Sequence, residues 1–286
     1  MKKAFFIVFL VASGVLQAQD VVTIFNSTRV INSHSTDMLW KKELDIRISH
    51  RFGDMATAGA AHEFFGLDNS ADIRLAVEYG ISNNLMVGLG RCKGAGPQVE
   101  LVDGFVKYAI LKQTSDNKKP LSITLLGTAV TTYMLRSSDS TSAVHFGDNS
   151  FVNRLSYCSQ LLIAKKFGSR FSIQLMPTYV HRNFVAFDDT NGLFSVGAAF
   201  RLRVTKVFSI IGEYFYNVGN ERIVNGVKFR NPLAVGFEFD SGGHLFMLNF
   251  TNSPGIGETQ FIPYTPSDFT KGEFRFGFTI SRIIKL

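Results

Sequence analysis

The chain closes with Glu273–Leu286, which reads EFRFGFTISRIIKL. Its apolar residues Phe274, Phe276, Phe278 and Ile280 alternate with charged, small or hydroxyl-bearing residues. A period of two places the two sets on opposite faces of a β-strand. One face suits lipid and the other suits a polar interior, as in one strand of a transmembrane β-barrel. We therefore interpret this stretch as the closing strand of a barrel.

Eleven earlier stretches repeat this alternation, and Glu43–Phe52, Asp72–Tyr79, Leu85–Arg91 and Val152–Phe167 are examples. Their lengths are close to the roughly 9–11 residues that a strand needs to cross a bilayer. Long connections mostly alternate with short turns, as the long outer loops and short periplasmic turns of such barrels do. The connections at 92–98 and 113–120 break this rule, so the strand count is uncertain by two.

The predicted fold is all-β, an antiparallel up-and-down outer-membrane barrel of about 12 strands over residues 42–286. A soluble β-sandwich or lipocalin-like barrel, with the apolar face turned inward, stays open as an alternative. The chain has 28 Phe, and after the N-terminus it has no apolar run long enough for a spanning helix. A closed barrel is then the remaining route into a membrane.

The N-terminus has the pattern of a secretory signal peptide over residues 1–18. Lys2 and Lys3 precede an apolar run over residues 4–16, and cleavage is expected after Ala18. The run is too short for a spanning helix, which needs roughly 20 apolar residues. We expect export through a cleaved signal peptide, with the cell outer membrane as the destination.

Residues 19–41 are rich in polar turn formers and show no strand alternation. We interpret them as a periplasmic N-terminal segment, with entry into the barrel left open. If the segment enters, we expect Arg29, Asn32 and His34 to hydrogen-bond to the acidic lumen residues Asp45, Asp72 and Glu78. Partial plugging of the lumen would follow, since a tethered segment has a high effective concentration at the barrel mouth.

The polar registers of the predicted strands carry charges of both signs. The residues predicted to line the lumen are Asp45, Arg47, Asp72, Arg74, Glu78, Lys107, Arg154, Arg201, Arg203, Glu213, Glu238 and Arg275. Such a surface fits an aqueous pore with a slight anion preference, or a salt-bridged closed lumen. Twelve strands fall between the filled eight-stranded and the open sixteen-stranded barrels, so both interpretations stay open.

The two cysteines, Cys92 and Cys158, fall on strands that are not neighbours. A disulfide requires Cα atoms within about 7 Å. Two free thiols facing the lumen are favoured, and a disulfide is the less favoured alternative.

The sequence contains no CxxC, HExxH, GxSxG or Walker motif, so we predict no catalytic residue, cofactor or metal site. The acidic loop 188–192 lacks the glutamate of an EF-hand and is interpreted as a hairpin tip. A lipid-acting hydrolase would need Ser49 with His50, or His181 with Asn183. Adjacent strand residues point to opposite faces, so Ser49 cannot serve His50 directly.

Several stretches, among them LDIRISHRFGD (44–54), FFGLDNSADIRLAVEYG (64–80) and GEFRFGFTISRI (272–283), carry a resemblance. They resemble a family of outer-membrane β-barrel proteins of unknown function from Bacteroidetes-type Gram-negative bacteria. The resemblance covers most of the chain after residue 18 and implies fold and location. It supplies no catalytic or binding residue.

The sequence is interpreted as a barrel of porin or transporter type with an unknown substrate. The alternative is a structural or assembly barrel with a closed lumen that binds partner proteins through its loops, and a lipid-acting hydrolase is third. The expected partners are outer-membrane lipid, with small solutes or ions as candidate cargo. No nucleic-acid partner is predicted, and protein partners are unknown.

Overall fold

The computed structural model describes residues 21–57 and 59–286. The predicted signal peptide, residues 1–18, lies outside the described residues. No helix in these two ranges is long and apolar enough to cross a membrane.

Twelve antiparallel strands form one closed barrel, which confirms the predicted fold class and strand count. The barrel strands are β1 Glu43–Asp54, β2 Ser70–Ser82, β3 Leu85–Cys92, β4 Leu101–Leu111, β5 Ser122–Thr132, β6 Leu155–Phe167, β7 Phe171–Arg182, β8 Gly192–Arg203, β9 Phe208–Asn217, β12 Leu233–Asp240, β13 Leu245–Thr251 and β14 Arg275–Lys285. A two-stranded hairpin, β10 Ile223–Val224 and β11 Val227–Lys228, lies in the loop between β9 and β12. The helical pieces are α1 Glu258–Phe261 and the 3₁₀ turns Ala60–Glu63, Val152–Arg154 and Phe269–Lys271.

Side-chain alternation decides which face of each strand meets lipid. In β1, Ile46 and Ile48 are 44% and 40% exposed, whereas Asp45 and Arg47 are at most 1% exposed. Apolar side chains outside and polar ones inside are the reverse of a soluble barrel, and they fit a wall surrounded by lipid.

The barrel closes where β1 pairs with β14. Ile48 lies opposite Ile280, and His50 lies opposite Phe278. On the lipid side of this seam, the ring of Phe52 stacks on that of Phe276 at 5.6 Å between centroids. Such cross-strand aromatic pairs add stability to the closure beyond backbone pairing. The prediction that the last stretch closes the barrel is confirmed.

The strand connections define two ends of the barrel. We call the end with connections 83–84, 112–121, 168–170, 204–207 and 241–244 the turn end, and the opposite end the loop end. The 112–121 connection is longer than a tight turn, and it clasps the start of the described chain. Val21 forms a β-bridge with Thr114, and the Val22 amide donates to the Gln113 carbonyl at 2.9 Å. By the rule that outer loops are long, we assign the turn end to the periplasm.

The predicted sixth strand, Val152–Phe167, begins only at Leu155, because residues 152–154 form a 3₁₀ turn. In that turn the Arg154 amide donates to the Phe151 carbonyl at 3.1 Å. Cys92 and Cys158 are both buried and both free, as favoured from the sequence.

Candidate functional site

Residues 21–41, which we call the N-terminal segment, form a hairpin inside the lumen. Arg29 and His34 make an antiparallel bridge, and the Val30 amide donates to the Ser33 carbonyl at 2.9 Å across the tip. All residues from Thr28 to Thr36 are buried. At the turn end the Lys42 amide donates to the Gly80 carbonyl at 2.9 Å, where the chain enters β1. The segment therefore enters and leaves the lumen at the same end.

Glu213 on β9 holds the tip of this hairpin. Its carboxylate accepts hydrogen bonds from the amides of Ile31, Asn32 and Ser33 at 3.3, 3.0 and 3.1 Å. The Ser33 hydroxyl donates a fourth at 2.7 Å. Hydrogen bonds to an ionised acceptor are roughly twice as strong as neutral ones, so Glu213 is a strong attachment point.

Two further wall residues hold the arms of the hairpin. The Lys107 ammonium donates to the carbonyls of Thr28 at 3.3 Å and Ser35 at 2.9 Å. The Glu78 carboxylate accepts from the Thr28 hydroxyl at 2.7 Å. The charges predicted to face a solute thus contact the chain's own N-terminal segment.

Near the turn end, the two arms of the segment are joined by the carboxylate of Asp37. Asp37 accepts from the amides of Ile24, Phe25 and Asn26 at 3.0, 2.7 and 2.9 Å. Burial raises the pKa of the Asp37 carboxyl, although these amide donors lower it in part. The bonds tie the incoming arm to the outgoing arm, so the segment is a compact unit.

A second segment enters the lumen from the loop end. It is the β13–β14 loop, residues 252–274, whose stretch 252–262 is almost entirely buried. Asp72 on β2 accepts from the Ile256 amide at 2.9 Å, and the Arg51 guanidinium donates to the Ser253 carbonyl at 2.9 Å. The ring of Phe261 packs edge-on against Phe215 with 5.1 Å between centroids.

The two segments meet in the middle of the barrel at Glu258. Its carboxylate lies 3.3 Å from the Arg29 guanidinium and 3.6 Å from the His34 imidazole. Burial lowers the pKa of His34 well below its usual range, and the cations Arg29, Lys107, Arg74 and Arg47 lower it further. Burial raises the pKa of the Glu258 carboxyl, which Arg29 partly lowers.

Part of the lumen wall is apolar, which the alternation of the strands did not indicate. Side chains from β3 to β9 form one cluster with Ile24, Phe25, Val30, Ile31 and Leu39 of the N-terminal segment. The main wall members of this cluster are Met86, Phe105, Leu126, Leu162, Met176, Val180, Leu193, Ile211 and Phe215. The sequence contains an indication of this apolar surface, because Leu162 and Met176 are apolar residues on the otherwise polar, lumen-facing register of their strands.

Most of the predicted lumen residues lie on the inner face of the wall, and several pair with each other. The Arg74 guanidinium lies 2.6 Å from the Asp103 carboxylate, and that of Arg201 lies 2.7 Å from Glu238. Arg47 pairs with Asp45 at 2.8 Å. Each pair joins two residues of the barrel wall. Arg47 also donates hydrogen bonds to the hydroxyls of Ser27 and Thr28 in the N-terminal segment.

Three predicted lumen residues lie elsewhere. Arg154 sits in a loop, where its guanidinium donates to the Met134 carbonyl at 2.6 Å and stacks 4.2 Å from the Phe146 ring centre. The strand pattern was mistaken there, because residues 152–154 form a helical turn. Arg203 is half-buried at the turn end, and Arg275 lies at the loop end, 3.6 Å from Asp54.

The wall has balanced charge, so it does not support the anion preference inferred from the sequence. Its buried charged residues comprise six basic and six acidic ones: Arg47, Arg51, Arg74, Lys107, Arg182, Arg201, Asp45, Asp72, Glu78, Asp103, Glu213 and Glu238. The sequence analysis missed Arg51, Asp103 and Arg182, which stand at or near strand ends.

The residues of the hydrolase hypothesis are not assembled. The Ser49 hydroxyl faces the lumen and bonds to that of Thr279 at 2.9 Å, whereas the His50 ring centre lies 4.2 Å from that of Phe52 on the lipid side. The Asn183 amide donates to the Val152 carbonyl at 2.7 Å. In the acidic loop 188–192, Asp189 pairs with Arg182 at 3.0 Å and Arg222 at 2.8 Å.

Comparisons with known proteins agree with this architecture. A family model described as "Membrane bound beta barrel domain (DUF5777)" matches residues 25–284. No curated protein matches the sequence. The NanC porin structure is 11% identical with a TM-score of 0.50, covering 85% of this chain and 99% of that chain.

Two other solved structures are similar at lower scores. The KdgM porin is 9% identical with a TM-score of 0.48, covering 84% of this chain and 98% of that chain. The outer membrane phospholipase A from Escherichia coli is 9% identical with a TM-score of 0.44, covering 84% of this chain and 92% of that chain. At such identities the likeness concerns fold alone.

Proposed function

The chain belongs to the family of membrane-bound β-barrel domains, and from that premise we propose that it is an outer-membrane barrel of porin type that is closed at rest. Solute passes only when the N-terminal segment leaves the lumen. The observation that carries this proposal is the re-entrant path of both filling segments, each of which enters and leaves at one end.

A re-entrant segment can leave without breaking the barrel. All twelve strands keep their neighbours when residues 21–41 swing out, since the segment adds no strand to the wall. What must be broken are side-chain contacts, chiefly those to Glu213, Lys107 and Glu78. The lumen is therefore built from a permanent wall and a removable filling.

The energy of that filling makes spontaneous opening rare. Ile24, Phe25, Val30, Ile31 and Leu39 are each at most 6% exposed. Burial of such side chains stabilises by about 1.5–3 kcal/mol each, so the five together contribute about 8–15 kcal/mol. A free-diffusion pore does not carry such a barrier. Opening then requires a ligand or partner that binds the displaced segment or the vacated lumen.

Small solutes are the expected cargo, with little charge selectivity. The six buried cations and six buried anions of the wall cancel. Departure of the segment would expose the apolar side of the lumen as well as the charged side. A solute with both apolar and polar groups fits such a surface better than a simple ion does.

Planar-bilayer recording tests the proposal. The full chain should show few or no openings, and a variant that lacks residues 21–41 should conduct steadily. The β13–β14 loop still occupies the loop end of this variant, so we expect its conductance to be limited. Thr23→Ala, an exposed change in the same segment, is the matched control and should behave as the full chain.

Two results would contradict the proposal in different ways. Equal conductance of the full and shortened chains would mean that the segment does not close the lumen. Silence of both would favour the second candidate, a structural barrel with a permanently closed lumen that acts through its loops. The apolar cluster that joins the lumen wall to the N-terminal segment is the observation that favours this second candidate.

A further inference from the structure

Net positive charge is concentrated at the turn end of the barrel, in a set of side chains that we call the basic rim. At the β1–β14 seam the rim consists of Lys41, Lys42, Arg282 and Lys285, and all four are exposed. These residues come from both ends of the barrel sequence, so the seam brings them to one side of the mouth.

Three turns continue the rim around the rest of the mouth. Their basic residues outside the lumen are Lys118, Lys119, Lys165, Arg170 and Lys206. They stand on the β4–β5, β6–β7 and β8–β9 connections or on the strand ends beside them. The charge is therefore distributed around the barrel and is not a patch on one side.

The rim is left without acidic partners. The acidic residues at the mouth of this end, within the described chain, are Glu43, Asp116 and Asp240, and Glu43 accepts from the Trp40 amide at 2.8 Å. Among the described residues, Lys118 is the one rim member in an ion pair, with Asp116 at 3.4 Å. Asp240 accepts from the Asn26 side chain at 2.8 Å. The loop end differs, because its arginines pair with Asp189 and Asp54.

Aromatic rings accompany Lys165 of the rim and a further lysine at this end, Lys112. The Lys112 ammonium lies 5.2 Å from the ring centre of Trp40, and that of Lys165 lies 5.3 Å from Phe167. Trp40 and Phe167 are 50% and 49% exposed. Amphipathic rings beside basic side chains are typical of a membrane–water interface, where apolar stems meet acyl chains and charged heads meet phosphates.

We propose that the basic rim binds the phosphate groups of anionic phospholipids in the leaflet at the turn end. Cations that are unpaired except for Lys118 surround the barrel mouth at interface depth, and exposed aromatic side chains lie between them. This arrangement matches a shell of lipid headgroups. An acidic protein or polymer would need a one-sided surface facing water, and the rim does not have that shape. The bound lipids fix the depth and orientation of the barrel.

Nanodiscs test this directly. The folded full chain is placed in phosphatidylcholine alone and in phosphatidylcholine with phosphatidylglycerol, and the thermal unfolding midpoint is measured. We expect phosphatidylglycerol to raise the midpoint by several degrees, and added salt to reduce that rise by screening. The combined variant Lys41→Gln, Arg170→Gln, Lys206→Gln, Lys285→Gln should lose most of it.

A matched variant at the loop end is the control. Lys93→Gln, Arg136→Gln, Lys228→Gln and Lys271→Gln remove the same charge, and the lipid-dependent rise should persist. No rise in the full chain, or equal losses in both variants, would overturn the proposal. So would an equal rise in phosphatidylcholine on adding inorganic phosphate or soluble polyglutamate. If the rim variant does not fold, native mass spectrometry of the full chain decides, since preferential retention of phosphatidylglycerol is expected and indifference contradicts it.

Discussion

The N-terminal segment and the β13–β14 loop fill the same lumen from opposite ends, but they are held differently. The loop is bounded by a strand on each side, β13 and β14. The N-terminal segment continues into one strand, β1, and its other arm is held by the bridge of Val21 to Thr114. The segment can therefore swing out about one strand once its contacts to Thr114, Gln113 and the lumen wall break, whereas the loop is fixed at both ends. This difference favours the N-terminal segment as the part of the filling that moves.

Phenylalanine truncation gives the largest expected effect and separates the two regions. Phe261 in the loop and Phe25 in the segment are 0% and 1% exposed. Phe→Ala in a core costs about 3–5 kcal/mol. For Phe261→Ala the loss should appear in the free energy of unfolding of the barrel, measured with denaturant in detergent. For Phe25→Ala it should appear mainly as more frequent channel openings.

If Phe25→Ala destabilises the barrel as much as Phe261→Ala and leaves conductance unchanged, the segment is an ordinary part of the core. Phe246→Ala, on the lipid face, is the matched control. It should leave the frequency of channel openings unchanged, whatever its effect on the free energy of unfolding.

Loss of the Glu213 carboxylate should have the next largest effect. Glu213→Ala leaves the amides of Ile31, Asn32 and Ser33 buried without an acceptor. Each unsatisfied buried group costs about 1–3 kcal/mol. One such loss alone raises the open population by about 5–150-fold, at 1.4 kcal/mol per tenfold. Glu213→Gln keeps one oxygen acceptor and should lie between Glu213→Ala and the unmodified chain in bilayer recordings.

Glu238→Gln is the control for this series, because the Glu238 carboxylate pairs with Arg201 across the wall. It should leave the openings unchanged. Equal effects of the Glu238 and Glu213 changes would show that general weakening of the wall, rather than release of the hairpin tip, opens the lumen.

Acidification should have the smallest effect, through His34. A histidine whose pKa is lower in the closed state than in the released state stabilises closure above about pH 6.5, its ordinary pKa. That stability is lost as the pH falls toward the lowered value. Asp37 and Glu258, whose pKa values are raised by burial, act in the opposite direction. The difference between the unmodified chain and His34→Gln isolates the histidine.

Openings should rise more steeply between pH 7.5 and pH 5.5 in the unmodified chain than in His34→Gln. Identical profiles would show that His34 keeps its protonation state in both forms of the lumen.

The sequence predicted the wall well because a period of two determines faces. Ile46 and Ile48 were assigned to lipid and Asp45 and Arg47 to the lumen, as the structure has them. The same rule did not distinguish the 3₁₀ turn at residues 152–154 from a strand, so it placed Arg154 wrongly in the lumen. The rule also does not say what fills the interior. Leu162 and Met176 contact other parts of the chain that are distant in sequence, and alternation contains no such information.

The alternation of side chains also could not predict the hairpin of the N-terminal segment. Its stability comes from single carboxylates, Glu213 and Asp37, that bind backbone amides. Every residue type except proline supplies an amide N–H, so the sequence does not indicate which amides are bound. Arg29, Asn32 and His34 were expected near Asp45, Asp72 and Glu78. Of these pairs, the structure brings Arg29 to within 3.5 Å of Glu78.

Cysteine labelling compares the two segments most directly. In a chain with Cys92→Ala and Cys158→Ala, one cysteine is placed by Ser33→Cys or by Ser253→Cys, both fully buried positions. An impermeant thiol reagent is added at the turn end of barrels reconstituted in one orientation. We expect slow labelling at position 33, accelerated by Glu213→Ala, and none at position 253. Labelling at position 253 ahead of position 33, or indifference to Glu213→Ala, would contradict it.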